Sequence, residues 1–226
     1  MAGDLVIPVT LAVITKAPVA GQAKTRLAAS VGDQAAADIA AATLLDTLDA
    51  VDATPVENKV VALTGDLGKA SGSRQIRSRL ADLTVIEQRG DDFSARLANS
   101  IADAAATAAD RPVVLIASDT PQVTASLLAD CAQALLQADV VFGLARDGGW
   151  WLLGVTDPAM AQCLNTIPTS RSDTGPATLE ALRDNGLTVT LVAELSDVDT
   201  VDDVDIVRAE CAPDSRFIHA IKAAGL

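Results

Sequence analysis

The feature that most constrains this chain is a regular alternation along its length of apolar runs of strand length and amphipathic runs of helix length. Val9–Thr15, Lys59–Thr64, Leu83–Glu87, Pro112–Ala117, Asp139–Leu144, Trp151–Val155 and Leu187–Val192 read as strands. Asp33–Ala50, Ser71–Ala81, Asp91–Ala108, Thr124–Gln137, Ser172–Asn185, Val201–Glu210 and Ser215–Ala224 read as helices, with Gly186 closing the fifth of them. Strands as continuously apolar as Pro112–Ala117 belong in a mostly parallel sheet with helices on both faces, a three-layer α/β/α arrangement. The Gly65–Ser73 loop is too short to separate two domains, so residues 1–226 are expected to form one. Such sheets bind ligands beyond the carboxyl ends of their strands. Functional residues are therefore sought immediately after strands.

Composition narrows the partners. A net charge of −13 leaves no general basic face for a nucleic-acid backbone. Five aromatic residues and no tyrosine leave few platforms for stacking bases. No apolar stretch reaches the ~18 residues of a membrane span, and the opening residues carry Asp4 instead of a basic leader. The expectation is a soluble, cytoplasmic protein with neither nucleic acid nor membrane as partner. Three scattered cysteines (Cys131, Cys163, Cys211) and the single His219 argue against a disulfide framework, a zinc site and a Ser-His-Asp triad. A small anionic ligand remains open, given a local cationic site or a metal.

The first strand supplies such a site. It runs into Lys16-Ala-Pro18-Val-Ala-Gly21-Gln-Ala-Lys24-Thr25-Arg26-Leu27, and no acidic residue occurs from Leu5 to Gly32. Pro18 and Gly21 shape a tight loop whose backbone N–H groups can approach a ligand, which suits a di- or triphosphate. It is neither a Walker A loop, since Ala23 precedes Lys24, nor a dinucleotide fingerprint, since the loop holds one glycine. The strand Pro112–Ala117 runs into Ser118-Asp119-Thr120-Pro121, where Asp119 either holds Mg²⁺ or Mn²⁺ against ligand phosphates or caps the turn. Glu194–Asp205 holds six acids and no base. Asp199 is placed to be a second metal carboxylate, while Asp202 and Asp203 favour the next helix N-terminus. Asp147-Gly148-Gly149-Trp150-Trp151 joins two strands, either as a plain hairpin with core indoles or as an acceptor site that Asp147 orients. Arg96, on the helix after Gly90, either reaches a ligand or decorates a surface.

Taken in register, Lys16–Leu27, Ser118–Pro121, Asp147–Trp151 and Asp197-Val-Asp199-Thr200-Val-Asp-Asp203 resemble a bacterial family catalogued as a domain of unknown function. The same family is described as radical-SAM/selenodomain-associated or arsenosugar-biosynthesis-type glycosyltransferases. The chain is more distantly similar to 2-phospholactate guanylyltransferases and molybdenum-cofactor nucleotidyltransferases. The resemblance spans nearly the whole chain and implies the GT-A fold of nucleotide-diphospho-sugar transferases, with a mixed, mostly parallel sheet. It implies that Gly21, Lys24 and Arg26 belong to a phosphate-binding loop, and that Asp119 and Asp199 are the metal carboxylates. This chain departs from the family in having Trp150 where tyrosine is usual, and Gly90-Asp-Asp-Phe-Ser-Ala-Arg96 in place of a G-D-L-G-E-R segment.

The expected enzyme is a transferase using a nucleotide and Mg²⁺ or Mn²⁺. Lys24, Arg26, Asp119 and Asp147 carry the chemistry, and Lys16, Pro18, Gly21, Lys24, Thr25, Arg26 and Ser118 hold the nucleotide. Gly148, Gly149, Trp150 and Arg96 hold the acceptor. The leading expectation is nucleotidyl transfer from a nucleoside triphosphate to a small phosphorylated or carboxylated acceptor. The others are glycosyl transfer from a nucleotide sugar and a silent nucleotide-binding module.

Overall fold

In β1 (Ile7–Lys16), Val9 to Thr15 are buried without a break, as an interior strand requires. The computed structural model describes residues 6–226, and the Asp4 stretch lies outside them. After β1 come α1 (Thr25–Val31), α2 (Asp33–Ala53), β2 (Val56–Thr64), α3 (Ser73–Leu80), β3 (Thr84–Glu87), α4 (Phe93–Ala106) and β4 (Val113–Ala117). Then follow α5 (Ala125–Leu135), β5 (Val140–Leu144), β6 (Trp150–Val155), a 3₁₀ helix (Pro158–Thr166), α6 (Thr174–Asp184), β7 (Val189–Leu191), α7 (Val201–Glu210) and α8 (Arg216–Ala223). Each strand and helix expected from the periodicity is present, with ends displaced by a few residues. Two elements were not expected: α1, hidden inside a loop read for its charges, and the 3₁₀ helix, whose three-residue turn does not give the 3.6-residue period of an α-helix.

The strands form one seven-stranded sheet in the order β3-β2-β1-β4-β6-β5-β7. All pairings are parallel except those of β6, which runs antiparallel to both β4 and β5. The sheet is therefore mixed. The exception is local: Asp147–Gly149 makes a hairpin, so β6 returns at once instead of crossing over a helix.

Alternation along β1 assigns the faces. Val9, Leu11 and Val13 pack with Leu44, Leu45 and Leu48 of α2 and with Leu128, Cys131 and Leu135 of α5. Ala12 and Ile14 face the other way, with Leu97 and Ile101 of α4, Leu164 of the 3₁₀ helix and Leu182 of α6. A third cluster lies outside these layers. It joins Leu27 of α1, Ile39 of α2, Val198 of the acidic segment, Val204 and Val207 of α7, and Phe217, Ile218 and Ile221 of α8. This cluster brings the first loop and the C-terminal acidic segment to the same end of the sheet. Among the described residues no helix is long and apolar enough to cross a membrane.

Candidate active site

Lys24 stands at the junction of the basic loop and α1 with φ 45° and ψ 51°, the left-handed region. A side-chain-bearing residue there costs roughly 1–2 kcal/mol. The turn sends its ammonium across the strand ends, where Nζ donates to Asp119 Oδ2 at 2.9 Å and to Asp199 Oδ1 at 2.8 Å. Arg26 Nη1 lies 3.5 Å from the other Asp199 oxygen. Asp119 follows β4, and its backbone carbonyl accepts from Val198 N at 3.1 Å, which ties the two acidic segments together. Asp203, in the first turn of α7, accepts from the backbone N–H of Asp199 at 3.0 Å and of Thr200 at 2.6 Å. The expected favouring of that helix N-terminus by acids is thus present, and it also holds Asp199 in place.

Asp119, Asp197 and Asp199 each present a carboxylate oxygen, and the three lie within 4.8 Å of one another. Asp197 was not among the expected metal residues. Its signal was the two-residue spacing from Asp199, which in an extended segment puts both side chains on one side. The electrostatics show what the cluster needs. Burial alone would push the Lys24 ammonium towards neutrality, but the charges of Asp119 and Asp199 hold it above the ordinary lysine range. Burial raises Asp199 as well, yet Lys24 and Arg26 bring it below the usual carboxylate value. Asp197 goes the other way. Burial, then the charges of Asp119, Asp147 and Asp199, push it up to about 7, with Lys24 opposing them only in part. Three half-buried hard oxygen donors with more negative charge than one ammonium satisfies are a fitting set for Mg²⁺ or Mn²⁺.

Two cavities meet at this cluster, one of ≈ 390 Å³ and one of ≈ 380 Å³. Ile14, Arg26, Phe93, Ala117, Asp119 and Asp199 line both. The first is also lined by Lys16, Lys24, Thr25, Arg96 and Ser118. The second is also lined by Asp147, Gly149, Trp150, Asp197 and the Thr169–Ser172 loop. Arg96, expected beside the acceptor, therefore stands with the basic loop around the first cavity. Pro18 and Gly21 line neither. Pro18 is buried, and its carbonyl accepts from Ser71 N at 2.9 Å, while Gly21 (φ 74°) turns the loop. Ser118 Oγ bonds Thr15 Oγ1 at 2.9 Å. Trp150 is half-buried and Trp151 fully buried, with its indole N–H donating to Ala193 O at 2.9 Å. The hairpin and the pocket wall are thus one feature: Trp151 anchors it and Trp150 faces the second cavity.

Two further lining residues carried no sequence signal. Gln88 Nε2 donates to Thr15 O at 2.7 Å and to Ala62 O at 2.9 Å. Both partners can only accept, so the amide is fixed and its oxygen is left as the acceptor beside the first cavity. Phe93 is 47% exposed, on the rim that both cavities share.

The seven-stranded mixed sheet with flanking helices is the fold of the nucleotide-diphospho-sugar transferases. A structure from Desulfovibrio desulfuricans G20, named "putative nucleotide-diphospho-sugar transferase", superposes with a TM-score of 0.83 at 24% identity, covering 95% of this chain and 94% of that one. A nucleotidyl transferase from Methanothermobacter thermautotrophicus gives 0.54 at 17% identity over 94% and 98% of the chains. Rv0371c from Mycobacterium tuberculosis H37Rv, in complex with manganese, gives 0.51 at 19% identity over 88% and 97%. Within that fold the chain belongs to the family described as "uncharacterized protein conserved in bacteria" (DUF2064), whose pattern matches residues 47–171. That match includes Asp119 and the Asp147–Trp151 hairpin; the basic loop and Asp197–Asp199 lie outside it. No protein of curated function matches the sequence.

Proposed function

We propose that the chain is a metal-dependent transferase acting on a nucleotide, and that it moves a nucleotidyl group from a nucleoside triphosphate to a small phosphorylated or carboxylated acceptor. The observation that carries this is the position of the acidic cluster and Lys24 where two cavities meet, the first lined by Lys16, Lys24, Arg26 and Arg96 and the second by Arg26 and Arg171 beside Asp147 and Trp150. A transfer reaction needs two substrates to meet at one charged point, and catalysis by positioning and charge neutralisation asks for no side-chain nucleophile.

Lys16, Lys24, Arg26 and Arg96 offer positive charge to the phosphates in the first cavity. Trp150, Gly149 and the Thr169–Ser172 loop hold the acceptor in the second. An acceptor oxygen then bonds to the α-phosphorus in line, and the bond to pyrophosphate breaks. Arg26, on the seam, meets charge developing on either side. Asp119, Asp197 and Asp199 would hold Mg²⁺ or Mn²⁺, which when bound neutralises phosphate charge and orients the reacting oxygens. The manganese recorded with Rv0371c, on the same fold, supports this choice of ion.

A second reading, glycosyl transfer from a nucleotide sugar, is favoured by the name of the Desulfovibrio structure. Product analysis separates the two, since nucleotidyl transfer releases pyrophosphate and glycosyl transfer releases a nucleoside diphosphate. The nucleotide is found first by thermal shift against triphosphates and nucleotide sugars with Mn²⁺, because a ligand that binds only the folded state raises Tm. Asp119→Asn and Asp199→Asn are each expected to lower turnover about 10²–10³-fold, the scale of losing one preorganised electrostatic contact. Wild-type turnover in both variants overturns the mechanism.

A further inference from the structure

We infer that Lys24 is a gate on the metal site: its ammonium occupies the gap between Asp119 and Asp199, so the divalent ion and the nucleotide bind cooperatively. The inference rests on the proposed metal and nucleotide sites.

The geometry leaves little choice. Nζ of Lys24 is 2.9 Å from one Asp119 oxygen and 2.8 Å from one Asp199 oxygen. These two residues, with Asp197, are the cluster whose oxygens converge within 4.8 Å. Mg²⁺–oxygen distances are roughly 2.0–2.1 Å, so an ion bound by both carboxylates lies in the same gap as the ammonium. The two cations exclude each other by charge and by space. The Lys24 side chain is also only 11% exposed, so the ammonium is not a loosely held surface charge that drifts away.

Metal entry therefore requires Lys24 to leave, and a free ammonium leaving two carboxylates needs another anion. The first cavity supplies the destination, since Lys24 lines it with Lys16, Arg26 and Arg96. Phosphates bound there offer Lys24 the partner that it loses. Nucleotide binding draws the ammonium off the carboxylates, and a metal ion on the carboxylates releases the ammonium to the phosphates. By linkage each ligand raises the other's affinity by the same factor. Without nucleotide, the ammonium neutralises carboxylates that would otherwise repel one another and collect stray cations.

The test is Mn²⁺ binding to the purified protein without nucleotide, read from the loss of the free-Mn²⁺ electron paramagnetic resonance signal. The proteins compared are wild type, Lys24→Met and Lys24→Gly. Glycine takes the left-handed backbone without strain, so Lys24→Gly guards against misfolding of the methionine variant. Both variants are expected to bind Mn²⁺ about tenfold tighter than wild type, within the usual range for linked ligands. Added pyrophosphate at Mn²⁺-buffered concentration is expected to raise wild-type affinity more than that of either variant. Equal or weaker binding by both variants overturns the gate while leaving the metal site standing. No Mn²⁺ binding by any of the three overturns the metal reading, and the gate with it.

Discussion

Asp197 shows how much one half-buried carboxylate can reveal about a site. Its pKa of about 7 comes from burial first and from Asp119, Asp147 and Asp199 next. In the unfolded chain the same group titrates near the ordinary aspartate value of 3.8. Between those values the folded, metal-free protein holds a proton that the unfolded chain has released, so this group's contribution to stability falls as pH rises. It is fully present below about pH 3.8 and lost as pH passes 7. Asp199, held low, contributes with the opposite sign, and its share is lost as pH falls. Asp197→Asn isolates the first effect. The difference in Tm between wild type and variant, measured from pH 4 to 8 with a chelator present, is expected to move steadily in the variant's favour. A difference that does not change with pH sinks the assignment. Saturating Mn²⁺ takes the carboxylate from the proton and is expected to abolish the wild-type slope.

At the scale of elements, what matters is how short turns aim these side chains. Asp203 accepts from the backbone N–H of Asp199 and Thr200 and from the Thr200 hydroxyl, all on one oxygen. Asp203→Ala is expected to cost about 1 kcal/mol of stability as a lost helix cap. Its Mn²⁺ affinity should fall further than that loss implies, because Asp199 loses its backbone tether; titration and denaturant melts on the same samples compare the two. The β5–β6 hairpin is clamped just as tightly. A Cβ on Gly148 (φ 91°) would meet the backbone carbonyl of Ser172, and one on Gly175 would meet the carbonyl of Gly149. Gly148→Ala is expected to destabilise by about 1–3 kcal/mol through overpacking. By moving Trp150 and the Ser172 loop it should raise the acceptor KM while the nucleotide KM holds; changes of equal size in both would refute the two-cavity division. The hairpin itself was legible from Asp147-Gly148-Gly149 between apolar runs, as the strands were from their apolar faces. The grip of Gly175 on it was not, because a contact between chain segments this far apart leaves no periodic trace. For the same reason Gln88 went unnoticed: only the folded sheet puts the carbonyls of Thr15 and Ala62 beside its amide. Lys24 was read as a phosphate ligand from its loop, but its present partners come from two other segments, ninety-five and 175 residues further on.

Across the whole molecule, the site depends on packing that lies outside the sheet. Leu27 follows Arg26 directly, Val198 precedes Asp199 directly, and both are fully buried in the cluster built on Phe217, Ile218 and Ile221 of α8. The C-terminal helices thus act at a distance. They touch neither cavity, yet they fix the spacing between the basic loop and the acidic segment on which Lys24 bridges. Phe217 is fully buried at the centre of this arrangement, and its backbone N–H donates to Asp46 of α2 at 2.9 Å. Phe217→Ala is expected to cost about 3–5 kcal/mol, the usual range for emptying a buried aromatic site. Leu135→Ala, in the cluster between the sheet and α5, is expected to cost about 2–5 kcal/mol; Leu135 lines neither cavity. Stability alone does not separate the two variants; Mn²⁺ affinity measured well below both unfolding transitions does. If the outer cluster sets the spacing of the carboxylates, Phe217→Ala weakens Mn²⁺ binding and Leu135→Ala leaves it at the wild-type value. Equal affinity in both would mean that the loop contacts of Asp119 with Val198, and of Asp203 with Asp199, hold the site unaided.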